Sequence, residues 1–258
     1  MMEENDQEKS NVKEITIQSK DNKPPEEQKI SQMRAFLEFR DPSSKVLDDS
    51  TLRRFLRARD LDIEKGGTML LKHLKWRRTF IPKGYVLETE IEHELAQNKA
   101  FVGGNDKKGR PILVVFARRH FQNNTLGGSD EFKRFAAYVL DKICSSSRMP
   151  VGQEKFCAIG DLQGWGYSNS DIRGYLGGLS ILQDSYPERL GKLFIVNAPR
   201  IFMAVWKIIY PFIDDKTKTK IVFVEKRQLK STLLEDIDES QLADKYGGKL
   251  PLLPIQDA

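Results

Sequence analysis

Residues 192–213 read KLFIVNAPRIFMAVWKIIYPFI. Two textures meet in this stretch. KLFIVNA (192–198) is a short, continuous apolar run, rich in β-branched residues and closed by turn-forming ones. Such a run fits a strand buried on both faces, as in a parallel sheet covered by helices. Residues 201–213 carry one charge, Lys207. On a helical wheel Ile201, Val205, Ile208, Ile209 and Phe212 line one side, and Phe202, Trp206 and Ile213 spread onto the next. Tyr210-Pro211 then stops or kinks the helix. The segment is too short to span a bilayer, which needs about 20 apolar residues. It must face a core, a membrane or something the protein carries. A buried core helix and a helix that meets lipid at times are equally open, since Trp favours the membrane interface and Met suits adaptable apolar contact.

Three more runs resemble the first: PILVVFA (111–117), KFCAIGDL (155–162) and KIVFVE (220–225). Helical patterns separate them at 131–146, 171–185, 200–210 and 240–246. This alternation predicts an α/β sheet with crossover helices. NDKKGRP (105–111) is turn chemistry. Upstream of Pro82 the pattern is helical throughout. Met33, Phe36 and Leu37 open the first helix, from about Ile30. Asp48, Asp49 and Ser50 offer caps for TLRRFLRARD (51–60), where Leu52, Phe55 and Leu56 share a face. A third helix covers 62–79 with a stripe of Leu70, Leu74 and Arg77. Gly66-Gly67 inside it predicts a soft spot or close helix packing. The expected organisation is a disordered tail at 1–29, a small all-helical subdomain at 30–82 and an α/β domain at 83–258.

Of the 258 residues 39% are hydrophobic, 9% aromatic and 31% charged, enough apolar content for a sizeable core. The net charge is +5, yet residues 1–29 hold eight acids against five lysines, so the remainder is +8. A basic body suits anionic partners, although a solvated surface accounts for charge alone. Cys144 and Cys157 are the only cysteines and the opening MMEENDQ has no apolar core of a signal peptide, so a reduced, cytoplasmic chain is expected. The histidines are scattered, and neither a metal nor a cofactor is expected. GWGYSNS (164–170) half-resembles a dinucleotide fingerprint but has Asn169 in place of the third glycine, so Ser168 or Ser170 is expected to cap the next helix. LRRFLRAR and KWRR read as basic helix faces beside a core, and nucleic acid is not expected as a partner. Glu188 and Arg189, in YPERLGK, sit between a helix and a strand, where a functional group and a structural ion pair are equally open. No nucleophile–base pair or metal set is recognisable, so no enzyme is expected.

Six blocks now coincide in order and spacing: STLRRFLRARDLDIEK (50–65), LLKHLKWRR (70–78), DKKGRPILV (106–114), QDSYPERLGKLFIVNAP (183–199), FIDDKTKTKIVFV (212–224) and LADKYGGKL (242–250). Together they resemble the CRAL-TRIO family, and within it the phosphatidylinositol-transfer branch, over about residues 30–250. The resemblance implies a helical subdomain followed by an α/β domain whose sheet floors a lipid cavity. It implies a headgroup site at Arg59, Glu188, Thr217 and Lys220. The segment after NAP then resembles the family's mobile gate helix, with Ile201, Phe202, Val205, Trp206, Ile209 and Phe212 as gate and membrane-contact residues. Asp60 stands where the yeast member of the branch has a lysine. Phe156 and Ala158 fall at cavity-strand positions where phosphatidylcholine-binding members carry hydroxyls. Neither side chain can donate a hydrogen bond, so phosphatidylcholine is not expected. The implied function is non-enzymatic phosphatidylinositol binding and exchange by a monomer at transiently contacted membranes, with lipid kinases as candidate acceptors. A carrier or sensor of another hydrophobic ligand, such as a sterol or a tocopherol-like compound, is the alternative.

Overall fold

The computed structural model describes residues 25–258. Helix α1 (Pro25–Arg40) begins five residues before the expected helix start at Ile30. Acids that look like tail composition are helix-terminus chemistry instead. Glu26 and Glu27 sit in the first turn, where negative charge complements the helix dipole. Both carboxylate oxygens of Glu26 accept from Arg57, at 2.6 and 2.9 Å, and Lys29 Nζ donates to Leu61 O at 2.8 Å. The rest of the expected disordered tail, residues 1–24, lies outside the described residues.

Asp48 caps α2 (Asp49–Arg57) by accepting from Thr51 N at 2.7 Å, and Asp62 caps α3 (Ile63–Phe80) by accepting from Lys65 N at 2.9 Å. The three helices bury Met33, Leu37, Leu52, Leu56 and Leu70 among themselves. The double glycine is the point of closest approach. A Cβ on Gly66 would stand 3.2 Å from Phe55 O, and one on Gly67 2.5 Å from the Phe36 ring. From the far end of α3, Arg77 reaches Asp141 Oδ2 at 2.8 Å and Gly84 O at 2.6 Å, clamping the helical unit to the rest of the chain.

Beyond the turn at Gly84 lie α4 (Glu92–Ala96) and a six-stranded sheet. Its strands are β1 (Ala100–Asn105), β2 (Pro111–Phe116), β3 (Phe156–Asp161), β4 (Leu190–Val196), β5 (Ile221–Val224) and β6 (Leu253–Pro254). The spatial order is β5-β4-β3-β2-β1-β6. The four apolar runs form the parallel part, β2 to β5. β1 and β6 add an antiparallel edge that the sequence pattern does not announce. Half of β1 is Gly-Gly-Asn, and β6 has two residues. The crossovers are α5 (Gly128–Ile143), α6 (Ile172–Ser185) and α7 (Phe202–Ile209) with α8 (Asp215–Lys218). A last helix, α9 (Leu229–Asp236), precedes the expected one at 240–246, which is only a 3-10 turn at Asp244–Tyr246 closed by Gly247 at φ +84°. Asp171, rather than Ser168 or Ser170, caps α6, because its carboxylate reaches Gly174 N at 2.8 Å.

Side chains alternate across the sheet as period two requires. Ile112, Val114, Cys157, Ile159, Phe194 and Val196 face α9 and Tyr246. Leu113, Ala158 and Leu193 stand in register on the other face, toward α5 and α6. Burial pushes the thiols of Cys144 and Cys157 up to about 12, so both behave as core groups.

Two expectations follow. Gly67→Val should lower the melting temperature by several degrees, since the added atoms have to displace the Phe36 ring; a thermal melt checks it. Burial also holds His73 and His120 down at about 4. A histidine kept neutral in the fold but free to protonate once unfolded favours the native state above its ordinary pKa. Stability should therefore be flat above about pH 6.5 and fall as the pH drops toward 4. Denaturant titrations across that range should show a weaker slope for His73→Phe.

Candidate functional site

The turn between α2 and α3 is unusual. Asp60 and Leu61 are both left-handed, at φ +53° and +62°, and neither is glycine. Each such residue costs about 1–3 kcal/mol, so something must hold the turn. Lys29 holds Leu61 O, and Lys216 at the start of α8 donates to Asp60 Oδ1 at 2.6 Å and to Arg57 O at 2.9 Å. The turn is thereby tied to α8, and half-buried Arg59 faces what lies between them.

What lies between is a cleft of about 200 Å³. Arg59, Glu188, Thr217 and Lys220 all line it, so the four expected headgroup residues converge from three separate parts of the chain. Glu188 is a third left-handed residue, at φ +58° between α6 and β4. Its Oε2 accepts from Lys155 Nζ at 2.9 Å. Burial raises its pKa, but the Lys155 hydrogen bond and the charges of Lys220, Lys155 and Lys216 outweigh that and hold it below the usual glutamate range. Thr217 is fixed by the cap of α8: its N and Oγ1 donate to Asp214 Oδ1 and Oδ2, at 2.7 and 2.8 Å. Its hydroxyl lone pairs remain free to accept. Lys220 is half-buried, and its ammonium has no hydrogen-bond or ion-pair partner among the described residues. Burial lowers its pKa, an effect Glu188 opposes and nearby Lys155 reinforces. The cleft therefore presents Arg59 and Lys220 beside the Glu188 carboxylate, while Asp214 and Asp215, which also line it, already accept from Thr217 and Lys218.

The cleft connects directly to residues 201–213. Helix α7 continues as a 3-10 turn through Tyr210–Phe212, where Pro211 interrupts it, and Asp214 then caps α8. The amide of Gln183 on α6 staples this junction, donating to Phe212 O at 3.1 Å and accepting from Asp214 N at 2.8 Å. Phe202, Val205, Ile209 and Ile213 face inward, onto Leu162, Trp165 and Ile195. Phe202 meets the Trp165 ring edge-on at 5.4 Å, and half-buried Trp206 meets Phe223 at 5.0 Å. Ile201, Ile208 and Phe212 face outward, so the wheel drawn from sequence is rotated. Phe156 and Ala158 pack with α5 and α6 rather than against α7. They share its sheet face nonetheless, through the register Ala158–Leu193–Ile221. On that face Val115, Gly160 and Leu193 stay partly accessible although they belong to central strands. A Cβ on Gly160 would touch only Phe194 O, at 3.9 Å. Lys155, Gln183, Asp214 and Lys216 are neighbours of the candidate site that sequence reasoning missed. The acid pair before KTKTK was the available signal for Asp214.

The CRAL/TRIO domain matches residues 95–248, more than half of the chain. The chain belongs to the CRAL-TRIO family. This is a family of lipid-binding and lipid-transfer proteins, generally non-enzymatic. Sec14 cytosolic factor of Schizosaccharomyces pombe is 32% identical over 215 residues, covering 78% of this chain and 75% of that protein. Protein real-time of Aedes aegypti is 30% identical over 213 residues, and there the chain spans only 33% of its relative's length. The crystal structure of Sfh5 superposes with a TM-score of 0.64 over 89% of each chain at 19% identity, a likeness of fold. Among the described residues no helix is long and apolar enough to cross a membrane, and no group of three His, Cys, Asp or Glu could hold a metal.

In this CRAL-TRIO domain the Gln183 staple should govern the mobility of the α7–α8 junction. Gln183→Ala is expected to speed amide exchange across residues 209–214 by about tenfold while the sheet stays protected, as judged by hydrogen-exchange mass spectrometry.

Proposed function

We propose that this chain is a non-enzymatic phospholipid carrier that binds phosphatidylinositol and exchanges it at membranes. The observation that carries this reading is the cleft: Arg59 and an unpartnered Lys220 converge beside Glu188 at one end of an apolar helix. A guanidinium and an ammonium suit a phosphodiester, which accepts from both. Glu188 and the Thr217 hydroxyl can accept from inositol hydroxyls. The acyl chains would enter between α6, α7 and the sheet face carrying Val115, Gly160 and Leu193.

The energetics require a seal. Exposing acyl chains to water costs roughly 0.8 kcal/mol per CH₂, so a dozen exposed methylenes cost on the order of 10 kcal/mol. Helix α7 meets both demands on a seal. Its inner face is apolar for the ligand, and its outer face, with Ile201, Met203, Ile208 and Phe212 exposed, is apolar for a bilayer. Opening at a membrane then replaces one apolar neighbour with another, and the Pro211 junction gives the place to bend.

Transfer of labelled phosphatidylinositol between vesicles tests the reading. Lys220→Ala removes one charge-assisted contact worth about 2 kcal/mol, so transfer should fall roughly thirtyfold. Unchanged transfer in that variant would overturn the headgroup site. Phosphatidylcholine should not be carried, since Phe156 and Ala158 offer no donor. Val205→Asp should abolish transfer of any lipid by placing a charge under the gate, with folding checked by circular dichroism. If Lys220→Ala instead left binding of a sterol or other neutral ligand intact in a protein that carries no phosphatidylinositol, the ligand class would change while the gate remained.

A further inference from the structure

Strands β2 to β5 run parallel, so the loops that leave their carboxyl ends share one rim of the molecule. Contacts lock these loops together. Asn169 Nδ2 donates to Arg118 O and His120 O, at 2.8 and 3.0 Å. Gly164 lies against the Arg118 side chain, and a single cleft joins Gly164 to Met203, Phe223 and Lys226. Two features coincide on this rim. Arg118, Arg173, Arg200 and Lys226 are exposed there and make no side-chain hydrogen bond, ion pair or ring contact. Among the described residues five arginines make no such contact, the other two being half-buried Arg53 and Arg148, so all three of the exposed ones stand on one edge. The exposed acids here are Glu225, already faced by Arg227 at 3.5 Å, and Asp130 in the first turn of α5, held by Lys133 at 3.0 Å. The same rim carries exposed apolar side chains: Phe121, Leu126, Tyr167 at 74%, Ile201, Met203 and Phe223.

We infer that this rim is the surface by which the protein docks on anionic bilayers. The inference rests on the carrier reading and adds a second element to it, separate from both the headgroup cleft and the gate. Cations with no internal partner gain most from anionic headgroups. Exposed aromatic and aliphatic tips beside them gain from the acyl boundary, and the aliphatic ones, Leu126, Ile201 and Met203, have no base to stack on in a nucleic acid. The rim ends at Ile201 and Met203, where α7 begins, so docking by the rim brings the amino-terminal end of the gate to the lipid.

The test is partition of the full chain onto vesicles of phosphatidylcholine alone and of phosphatidylcholine with phosphatidylserine, by co-sedimentation. Each near-surface cation strengthens binding to an anionic surface about fivefold. The variant R118A/R173A/R200A/K226A should therefore bind phosphatidylserine vesicles at least roughly a hundredfold more weakly than the unaltered protein. A control with the same charge loss on other faces, K45A/R53A/K75A/R148A, should bind as the unaltered protein does. Equal loss in both variants would reduce the effect to net charge and overturn the proposal, as would undiminished binding of the rim variant. Should the rim variant fail to fold, salt decides: binding of the unaltered protein to phosphatidylserine vesicles should fall steeply with added salt, and binding that ignores salt overturns the proposal. Bound lipid in the unaltered protein, measured by mass spectrometry, reports on the carrier reading independently, because vesicle partition is scored whether or not a ligand is present.

Discussion

Helix α7 has no polar face. Apart from Lys207, every side chain from Phe202 to Ile209 is apolar, and this constraint organises what surrounds it. One side must be covered by protein, and Trp165, Ile195 and the stripe of α6 do that. The other side is left to solvent, with Met203 and Ile208 exposed. Such a helix is stable in water only while its inner face stays occupied. It loses little when its outer face meets hydrocarbon. The sheet lies beneath this helix, α6 packs beside it, and the α7–α8 junction ends at the polar cleft. A ligand apolar along most of its length and anionic at one end matches that sequence of environments.

Charge in the cleft is distributed by ion pairs within the fold. Asp60 could be read as an anion intruding on a cationic site, since it follows Arg59 directly. Its carboxylate is engaged by Lys216, whose hydrogen bond and charge hold it below the ordinary aspartate range. The pair joins the helical subdomain to α8 and so sets where Arg59 stands. Lys155 does comparable work for Glu188. Lys220 is left as a cation with no acceptor among the described residues, and burial makes its unpaired state costly. The left-handed backbone at Asp60, Leu61 and Glu188 fits this arrangement, because strain persists only where surrounding contacts over-determine it.

Much of this was legible in the sequence, for identifiable reasons. The parallel strands are apolar on both faces, so β2 to β5 stand out as continuous runs. The cap Asp48 combines the right residue with the right following pattern. β1 and β6 were invisible because an edge strand carries little apolar signal, and Gly103-Gly104 reads as a loop. Asp171 escaped because serines beside it are equally good caps by type, and only geometry separates them. The start of α1 was misplaced because Glu26 and Lys29 resemble tail composition until Glu26 is seen to accept from Arg57 and Lys29 to donate to Leu61 O. The four residues expected to hold a headgroup came from resemblance. Their convergence came from the fold, since no spacing rule joins Arg59 to Lys220.

The most direct measurement is native mass spectrometry of the full chain after incubation with liposomes that contain phosphatidylinositol, phosphatidylcholine and a sterol. The account requires one phosphatidylinositol per chain, released as the intact lipid on activation. A chain that remains empty, or that emerges carrying only a ligand without a phosphate, would contradict it.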